Sequence, residues 1–309
     1  MKNKLVSILL PTYNQQQYLK NSIESALNQD YENIEIIIAD DASTDHTKEI
    51  VSSYIKNTPK IKYFRNEYNL GRVANYHKAL YEHANGDYVL NLDGDDQLID
   101  NTFISDAVKL LNDKPNTKLL VACKQFSLHD KIIKTYHKVD KLIAVISGLE
   151  FVNGISKKYE FSHLTTLYNR KDALKLNFYR ENIISTDKES LLRLALTGDI
   201  ILYNKIVGQW NYIGTNDSKN QSFYDSTTNL TWITNVYVIL KTKTTYIKAT
   251  LWKERMKLLY APFIAKSIKN QKSLTLNQVY TLFKNKIVLA LIVSIVKITF
   301  NKLFLRKNK

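Results

Sequence analysis

The first 125 residues alternate between short apolar segments and segments whose apolar residues recur at helical spacing. Strands are predicted at 5–10, 34–40, 60–64, 87–93 and 117–123. The helices predicted between them cover 14–29, a segment ending near 56, a segment from 72 to 83, and 102–113. Strands that alternate with helices in this way form a mostly parallel sheet with helices on both faces. The sequence therefore predicts an α/β protein that binds ligands at the carboxyl ends of its strands.

The pattern is less regular after residue 126. A helix is predicted from about 187 to 197 and a strand over 201–213. From 230 onward the chain is predicted to be helical and basic, with an apolar run at 287–296. We expect a first domain at 1–235, built from halves at 1–125 and 126–235, and then a basic helical region at 236–309.

The positive charge is concentrated in the C-terminal part of the chain. Net charge is +15, yet residues 1–240 carry 28 basic and 28 acidic residues, whereas residues 241–309 carry 16 basic residues and one acid, Glu254. Nucleic acid is not an expected partner, because no binding motif or aromatic stacking platform accompanies the basic residues. The run at 287–296 is shorter than the roughly 20 residues that span a bilayer. We expect a helix lying on an anionic membrane surface; the alternative is a core helix.

The number of cysteines and the N-terminal residues indicate the cellular compartment of the protein. A single cysteine, Cys123, excludes an intramolecular disulfide and a multi-cysteine zinc site. The N-terminal apolar run is six residues long and is closed by Pro11, which is too short for a secretory signal. We therefore expect a cytoplasmic location, at the inner face of the cytoplasmic membrane.

Three carboxylates lie within four residues directly after the fourth predicted strand: Asp93, Asp95 and Asp96. Like charges this close repel one another. A divalent cation such as Mg²⁺ or Mn²⁺ prefers oxygen ligands and would offset the repulsion. Gly94 is expected to let the backbone turn tightly, so that the carboxylates converge. The alternative is a solvated Asp-Gly turn.

Other polar clusters follow the first three predicted strands. They read Pro11-Thr12-Tyr13-Asn14, Asp40-Asp41-Ala42-Ser43-Thr44-Asp45, and Asn69-Leu70-Gly71-Arg72. Each alone has a simple structural explanation as a strand end, a helix cap or a turn. The chain contains no G-x-G and no G-K-[ST], so the dinucleotide fingerprint and the P-loop are both absent.

In this order, the segments LLPTYN, IIIADDASTD, NLGRVAN and GDYVLNLDGDD resemble nucleotide-sugar-dependent glycosyltransferases of family two. The resemblance covers roughly residues 5–100 and continues more weakly at 185–198, where Thr186-Asp187 stands in place of the family's Glu-Asp. It implies a GT-A fold with a Rossmann-like sheet. It also implies donor contacts from the strand ends: Pro11, Thr12, Tyr13, Asn14, Asp40, Asp41, Arg72, Asp93, Asp95 and Asp96.

The same resemblance implies individual roles. Asp41 would accept a hydrogen bond from a uracil ring, and Arg72 would lie near the diphosphate of a UDP-sugar. Asp93 and Asp95 form the DXD-type pair that would hold Mn²⁺ or Mg²⁺, with Asp95 as the first choice for direct metal contact. Asp187 matches the catalytic base, and Glu189 is its nearest competitor.

The implied reaction is an inverting transfer to a hydroxyl group. A metal offsets the charge of the leaving nucleoside diphosphate, and a carboxylate accepts the proton of the acceptor hydroxyl. His163 lies in a region where related enzymes contact substrate, but a lone histidine is not assigned a role here. Gln209-Trp210 lacks the arginine and the spacing of the processive synthases, so we expect one sugar per event and Trp210 in the core.

The leading hypothesis is a hexosyl- or N-acetylhexosaminyltransferase that acts on a glycan or lipid-linked acceptor in bacterial surface polysaccharide or lipopolysaccharide synthesis. One alternative is a nucleotidyltransferase, although a Gly-rich phosphate loop is missing where PTYNQQQYL stands. The other is a non-enzymatic module that binds a nucleotide sugar.

Overall fold

A computed structural model describes residues 3–56, 58–128, 131–214, 221–269 and 274–292. The strands are β1 (Val6–Thr12), β2 (Ile34–Asp40), β3 (Ile61–Arg65), β4 (Tyr88–Asn91), β5 (Gln97–Leu98), β6 (Thr117–Leu128), β7 (Lys131–Lys134), β8 (Ile143–Ser147), β9 (Thr166–Asn169) and β10 (Asp199–Asn211).

The α-helices begin and end as follows: α1 (Leu19–Leu27), α2 (Thr47–Ile55), α3 (Arg72–Lys78), α4 (Phe103–Asn112), α5 (Gly148–Gly154), α6 (Arg170–Lys175), α7 (Thr186–Ala195), α8 (Phe223–Thr228), α9 (Thr231–Lys243), α10 (Tyr246–Lys269) and α11 (Leu276–Lys284). A π-helical turn, Ala79–His83, extends α3, and a 3₁₀ turn, His163–Thr165, precedes β9.

The strands form one sheet in the order β3-β2-β1-β4-β9-β6-β10-β5, with β7 paired to β6 and β8 paired to β10. The pairs β1–β2, β1–β4, β2–β3 and β6–β10 are parallel. The other five pairs are antiparallel, because β5, β7, β8 and β9 run against their neighbours. The predicted α/β architecture is confirmed, and the sheet is mixed where these shorter strands join it.

The β1 and β2 strands form the centre of the core. All seven residues of each are buried, as near-continuous apolar strands covered on both faces should be. The alternate residues Val6, Ile8 and Leu10 of β1 pack into the same cluster as Leu19 and Ile23 of α1. Each such buried side chain stabilises the fold by about 1.5–3 kcal/mol. This packing fixes the strand ends on which the polar segments stand.

Glu35 is a buried carboxylate in β2. It accepts hydrogen bonds from the Ser7 hydroxyl (2.6 Å), the Asn85 backbone N–H (2.6 Å) and the Lys62 ammonium (2.6 Å). Burial opposes its ionisation, but these donors outweigh burial and lower its pKa below the ordinary value. The carboxylate thereby connects β1, β2 and β3 with the residues that lead into β4.

Helix α1 begins at Leu19, later than the predicted start at residue 14. Asn14 has a left-handed backbone conformation, with φ of 52°. Its N–H donates to Ser43 Oγ (3.0 Å), and its Oδ1 accepts from the Thr44 N–H (2.8 Å). Gln16 likewise bonds to Asp45, with its N–H donating to Oδ2 at 2.9 Å. The segment after β1 is therefore bonded to the segment after β2 instead of entering the helix.

The chain divides into two compact units. The first comprises Met1–Asn182 and Thr186–Ile213, and the second comprises Ile183–Ser185 and the chain from Gly214 onward. The boundary predicted after residue 235 falls inside α9. The last strand of the sheet ends at Asn211, and the predicted helical region begins at about residue 230.

The second unit contains α8 to α11. Along α10, Ala249, Trp252, Met256 and Tyr260 are buried at helical spacing. Trp252 packs edge-on against Trp232 of α9, with ring centroids 6.2 Å apart. Helix α11 begins with a capping box, in which Thr275 and Gln278 satisfy each other's backbone N–H groups.

The apolar run at 287–296 lies partly outside the described residues. Within it, Ile287, Ala290 and Leu291 are buried, while Leu289 and Ile292 are exposed. Among the residues that the structure describes, none of the helices combines the length and the hydropathy needed to cross a bilayer.

Candidate active site

The segments after β1, β2 and β4 lie side by side. Strand β1 pairs in parallel with β2 on one side and β4 on the other, so their carboxyl ends share one edge of the sheet. The Asp41 N–H donates to the Thr12 carbonyl (3.0 Å), and the Gly94 N–H donates to the Pro11 carbonyl (3.2 Å). The sequence prediction that these segments meet is therefore matched by the backbone hydrogen bonds.

The segment 11–14 begins with two buried residues and ends with two exposed ones. Pro11 and Thr12 are buried at the end of β1, and Thr12 Oγ1 donates to Gln15 Oε1 (3.0 Å). Tyr13 is 47% exposed, and Asn14 is also exposed, with its backbone bonded to Ser43. Tyr13 is thus the side chain of this segment that is most available to a ligand.

Asp40 and Asp41 are buried and hold two different segments. Asp40 accepts from the Ser43 N–H (2.8 Å) and the Tyr63 hydroxyl (2.5 Å). Asp41 Oδ1 accepts from Asn66 Nδ2 (2.9 Å) and the Leu70 N–H (2.8 Å). Asp41 Oδ2 accepts from the Gly71 N–H (2.9 Å), where Gly71 has a φ of 86°. A carboxylate oxygen has about two acceptor positions, so Oδ2 of Asp41 retains room for one further donor.

Gly94 is required for close approach rather than for a left-handed turn. The backbone does turn at Gly94, as expected, but its φ is not positive. A Cβ at this position would lie 2.5 Å from Gln15 Oε1 and 3.0 Å from Thr12 Oγ1. Beside it, the Ser22 hydroxyl donates to the Asp96 carbonyl (2.6 Å), and the Asp96 N–H donates to the Asp93 carbonyl (2.9 Å). The acidic segment is therefore packed against the end of β1 and α1.

The three carboxylates of the acidic segment differ in electrostatics. Burial opposes ionisation of Asp93, but the charge of His163 and a hydrogen bond from the Tyr76 hydroxyl outweigh burial and lower its pKa. Burial and the charge of Asp93 raise the pKa of Asp95 to about 6. Burial and the charges of Asp95 and Asp93 raise the pKa of Asp96 well above its usual range. Ionisation of Asp95 and Asp96 beside Asp93 is therefore unfavourable, and a bound cation would offset this repulsion.

Asp93, Asp96 and His163 together could hold a metal ion. Each offers one ligand atom, and these atoms lie within 4.8 Å of one another. In the described part of the chain, the buried Nε2 of His163 forms no hydrogen bond and faces Asp93 Oδ2 at 3.3 Å, so as a metal ligand it would first give up its proton. Two carboxylates and an imidazole suit Mn²⁺, and Mg²⁺ accepts the carboxylates. Asp95, the sequence's first choice for metal contact, does not belong to this group.

His163 joins the acidic segment to Asp187. Its Nδ1 lies 2.8 Å from Asp187 Oδ2, and its Nε2 lies 3.3 Å from Asp93 Oδ2. Burial disfavours a charged imidazole, but Asp93 and Asp187 outweigh burial and raise the pKa of His163 well above its ordinary value. His163 was considered in the sequence and not assigned; its neighbours there gave no sign of these two partners.

Asp187 lies in the first turn of α7 and is ionised. Burial opposes its charge, but the hydrogen bond from His163 and the charges of His163, Arg72 and Lys188 hold its pKa well below the usual range. Its side chain retains 18% exposure, so a ligand can reach it. The helix N-terminus also favours a negative charge here.

Glu189, the competing carboxylate of α7, is occupied elsewhere. It is fully buried, and its Oε1 lies 2.8 Å from Arg193 Nε and 3.0 Å from Arg180 Nη2. Arg193 in turn donates to the backbone carbonyls of Leu176 (2.5 Å) and Asn177 (3.0 Å). Glu189 therefore holds the preceding loop against α7, and Asp187 is the carboxylate that faces His163.

Arg72 and Tyr76 lie on α3, beside the acidic segment. The guanidinium carbon of Arg72 is 5.6 Å from the ring centroid of Tyr76, whose hydroxyl donates to Asp93. Tyr179 stacks on Tyr76, with centroids 5.4 Å apart. Arg72 was predicted at the site from the sequence, whereas Tyr76 and Tyr179 were not, because aromatic residues in apolar segments are ordinarily assigned to the core.

Gln209 and Trp210 lie in β10, directly before Asn211, whose N–H donates to Asp96 Oδ1 (3.1 Å). Gln125 Nε2 donates to Gln209 Oε1 (2.7 Å), and Trp210 packs edge-on against Phe126, with centroids 5.8 Å apart. Trp210 is partly buried against the hydrophobic core, as expected.

The sequence matches the family model for glycosyl transferase family 2 over residues 7–178. An uncharacterized glycosyltransferase of Haemophilus influenzae is 34% identical over 157 residues, covering 49% of this chain and 60% of that protein. The GalNAc(5)-diNAcBac-PP-undecaprenol beta-1,3-glucosyltransferase of Campylobacter jejuni is 39% identical over 112 residues, covering 36% of this chain and 34% of that protein. The chain therefore spans less than two thirds of either relative.

Two solved structures share the fold. Staphylococcus aureus TarS 1–349 in complex with UDP-GlcNAc superposes with a TM-score of 0.67 and 18% identity, covering 93% of this chain and 81% of that one. The mannosyltransferase PcManGT from Pyrobaculum calidifontis, in complex with GDP-Man and Mn²⁺, gives a TM-score of 0.56 and 14% identity, covering 97% and 88%. At these identities the likeness establishes the architecture alone.

Proposed function

The chain belongs to glycosyl transferase family 2, and on that premise we propose that it transfers one sugar per event from a UDP-sugar to a hydroxyl group, with inversion at the anomeric carbon. The sugar is a hexose or an N-acetylhexosamine. The observation that carries the proposal is the bridge from Asp93 through His163 to Asp187. It places a cluster suited to a metal-bound diphosphate next to an ionised carboxylate suited to act as a base.

The nucleotide binds at the ends of β1 and β2. Asp41 accepts the imide N–H of uracil at Oδ2, which has one acceptor position left beside the Gly71 N–H. Tyr13 is 47% exposed and can lie against the base. The buried Thr12 and Asp40 support this surface, together with Asn14. The solved complexes of TarS with UDP and UDP-GlcNAc, which share this fold, agree with a UDP-sugar donor.

Asp93, Asp96 and His163 would hold Mn²⁺ or Mg²⁺, with Asp95 beside them. Bound there, the metal would act as a Lewis acid toward the leaving diphosphate. Arg72, whose charge already lowers the pKa of both Asp93 and Asp187, provides a second positive charge near the same phosphates. The shared fold of PcManGT, solved with Mn²⁺, is consistent with this assignment.

Asp187 accepts the proton of the acceptor hydroxyl as that oxygen attacks the anomeric carbon. Its low pKa keeps it ionised, and His163 fixes its orientation through the 2.8 Å contact. General-base assistance by a positioned carboxylate contributes about 10²–10⁴-fold to a rate. Glu189 is excluded from this role by its contacts with Arg193 and Arg180.

The acceptor is a glycan or a lipid-linked sugar used to build a bacterial surface polysaccharide or lipopolysaccharide. The Campylobacter jejuni relative, named for an acceptor linked to PP-undecaprenol, supports a lipid-linked acceptor. This acceptor class places the enzyme at the inner face of the cytoplasmic membrane. The family assignment supersedes the nucleotidyltransferase alternative, and an ionised, accessible Asp187 argues against a non-catalytic module.

Helix α11 provides a surface for membrane contact. Leu276, Tyr280 and Phe283 lie on one face of it and are 88%, 66% and 64% exposed. Lys284 and Lys286 follow, and residues 274–292 contain no acidic residue. An apolar helix face next to lysines is the composition that binds anionic lipid surfaces. We name these three side chains the α11 face.

The test is a donor screen. Nucleotide release is measured with UDP-, GDP- and dTDP-linked hexoses and N-acetylhexosamines, with Mn²⁺ and with excess chelator. Metal-dependent release from a UDP-sugar is expected. Absence of release from every donor would contradict the enzymatic proposal, and undiminished release in chelator would contradict the metal role.

A further inference from the structure

Lys124 in β6 has surroundings unlike those of the paired lysines of the sheet unit. It lies opposite Gly208 of β10, and its ammonium is 4.9 Å from the ring centroid of Phe126. In the described part of the chain, its Nζ forms no ion pair within 4 Å and no hydrogen bond. Burial lowers its pKa to about 8, so the fold holds this positive charge at a cost in stability.

The paired lysines show the contrast. Lys62 lies 2.6 Å from Glu35, Lys118 lies 3.0 Å from Asp172, and Lys205 lies 2.5 Å from Asp100. Each links neighbouring elements through a carboxylate. Lys124 has no carboxylate in contact among the residues that the structure describes, so holding the structure together does not account for its charge.

Gly208, the residue opposite Lys124, packs against the turn that begins at His163: a Cβ at Gly208 would lie 2.9 Å from Leu164 and 3.0 Å from Thr165. Lys124 therefore lies beside the candidate active site, and the charges of Glu160, Asp96, Lys188 and Asp187 act on it. The ammonium is therefore within electrostatic range of both the acidic segment and the base. Lys188, next to Asp187 on α7, is a second lysine whose pKa burial lowers. Two lysines thus stand near the point where the proposed reaction takes place.

We propose that Lys124 binds a phosphate group of a substrate, with Lys188 adding a second positive charge. The inference rests on the proposed function, because that reaction brings phosphate to this site from either of two sources. One is the β-phosphate of the UDP-sugar donor. The other is a phosphate that links the acceptor to its lipid. In both cases the ammonium donates hydrogen bonds to phosphate oxygens and recovers the electrostatic energy lost on burial.

The experiment compares Lys124→Met with the wild type by isothermal titration calorimetry in the presence of Mg²⁺. Methionine keeps the length of the side chain and removes its charge. Lys134→Met, at an exposed position on the adjacent β7, is the matched control. UMP and UDP are titrated first, and inorganic phosphate is then titrated into protein saturated with UDP.

A donor role predicts that Lys124→Met weakens UDP binding by about tenfold to a hundredfold, while UMP binding is unchanged. An acceptor role predicts unchanged UDP binding, with loss of phosphate binding to the UDP-saturated protein. Lys134→Met is expected to match the wild type in every titration. The inference is overturned if Lys124→Met and the wild type do not differ in any of them.

Thermal unfolding separates a binding role from a structural one. Lys124→Met is expected to unfold at the wild-type temperature or higher, because it removes a poorly solvated charge. Lys124→Gln is made as a second variant in case the methionine variant does not fold. A marked loss of stability in both, with binding unchanged, would also overturn the inference. If the wild type itself does not bind UDP, the proposed function fails and the inference fails with it; if only the variant comparison fails, the proposed function stands.

Discussion

The Nδ1 atom of His163 lies 2.8 Å from Oδ2 of Asp187, although 24 residues separate them in the chain. The other ring nitrogen faces Asp93, so one imidazole spans the gap between the acidic segment and the N-terminus of α7. This arrangement keeps Asp187 ionised and keeps one nitrogen directed at the cluster where a cation fits.

The first prediction concerns the metal ligands. Asp96→Asn and His163→Gln should each weaken Mn²⁺-dependent UDP binding by about 100-fold or more, since even residues outside the coordination sphere are worth about 10–100-fold. Asp95→Asn should have a smaller effect, because Asp95 is outside the group formed by Asp93, Asp96 and His163. Calorimetric titration of UDP at fixed Mn²⁺ measures this. If Asp95→Asn greatly weakened UDP binding and Asp96→Asn bound UDP normally, Asp95 would be the direct metal ligand, as the sequence predicted.

The second prediction concerns stability and pH at Glu35. Because its pKa is lowered in the folded chain, its ionised form stabilises the fold above the unfolded-state pKa of about 4.3, and this contribution is lost as the pH falls through the folded-state pKa. Glu35→Gln should lower the free energy of unfolding at pH 7 by about 1–3 kcal/mol.

Urea unfolding from pH 7 down to pH 3 tests the Glu35 prediction. The difference between wild type and Glu35→Gln should narrow as the pH falls. The exposed neighbour Glu32 provides the control, and Glu32→Gln should leave stability nearly unchanged. If the difference in the free energy of unfolding between wild type and Glu35→Gln stayed constant from pH 7 to pH 3, ionisation of Glu35 would not contribute to stability.

The third prediction concerns the α11 face. Replacing Leu276, Tyr280 and Phe283 together by serine should reduce co-sedimentation with phosphatidylglycerol-containing liposomes by more than about tenfold, because three exposed apolar contacts are lost. High salt should release the wild type only in part, since apolar contacts are not screened.

A matched control for the α11 face exists in β7. Ile132 and Ile133 are each 49% exposed, and their double serine variant should bind liposomes like the wild type. Folding of both variants is checked by circular dichroism. If the α11 variant sediments as the wild type does, the membrane contact lies elsewhere or is absent.

The sequence predicted the parallel strands and the polar segments at their ends. It did so because parallel strands of one sheet end at the same edge, so that Thr12, Asp41 and Asp93 must be neighbours. The antiparallel β9 between β4 and β6 was not predicted, since four residues entering from a 3₁₀ turn leave little periodic signal.

The partners of His163 could likewise not be predicted from the sequence, because Asp93 and Asp187 approach His163 only through tertiary packing. The role of Glu189 could have been found. Arg193 follows it at i+4, the spacing at which a glutamate and an arginine on one helix face pair. This spacing predicts that Glu189 pairs with Arg193, and it therefore favours Asp187 over Glu189 as the base.

The central claim is that Asp187 is the base of a sugar transfer. Asp187→Asn keeps the size and polarity of the side chain but accepts a proton poorly. Glu189→Gln, two residues along the same helix, is the matched control; it should unfold at a lower temperature, yet keep near-normal turnover per folded molecule, because Glu189 contacts Arg193 and Arg180 instead of substrate.

The most direct measurement is the rate of UDP release, in the presence of acceptor, from the UDP-sugar identified in the donor screen, with UDP affinity measured in parallel. For Asp187→Asn the rate should fall by about 10²–10⁴-fold while UDP affinity changes little. The assignment of Asp187 as the base would be contradicted by two results together. Asp187→Asn would keep near-normal turnover, and Glu189→Gln would lose more turnover than its loss of folded protein explains.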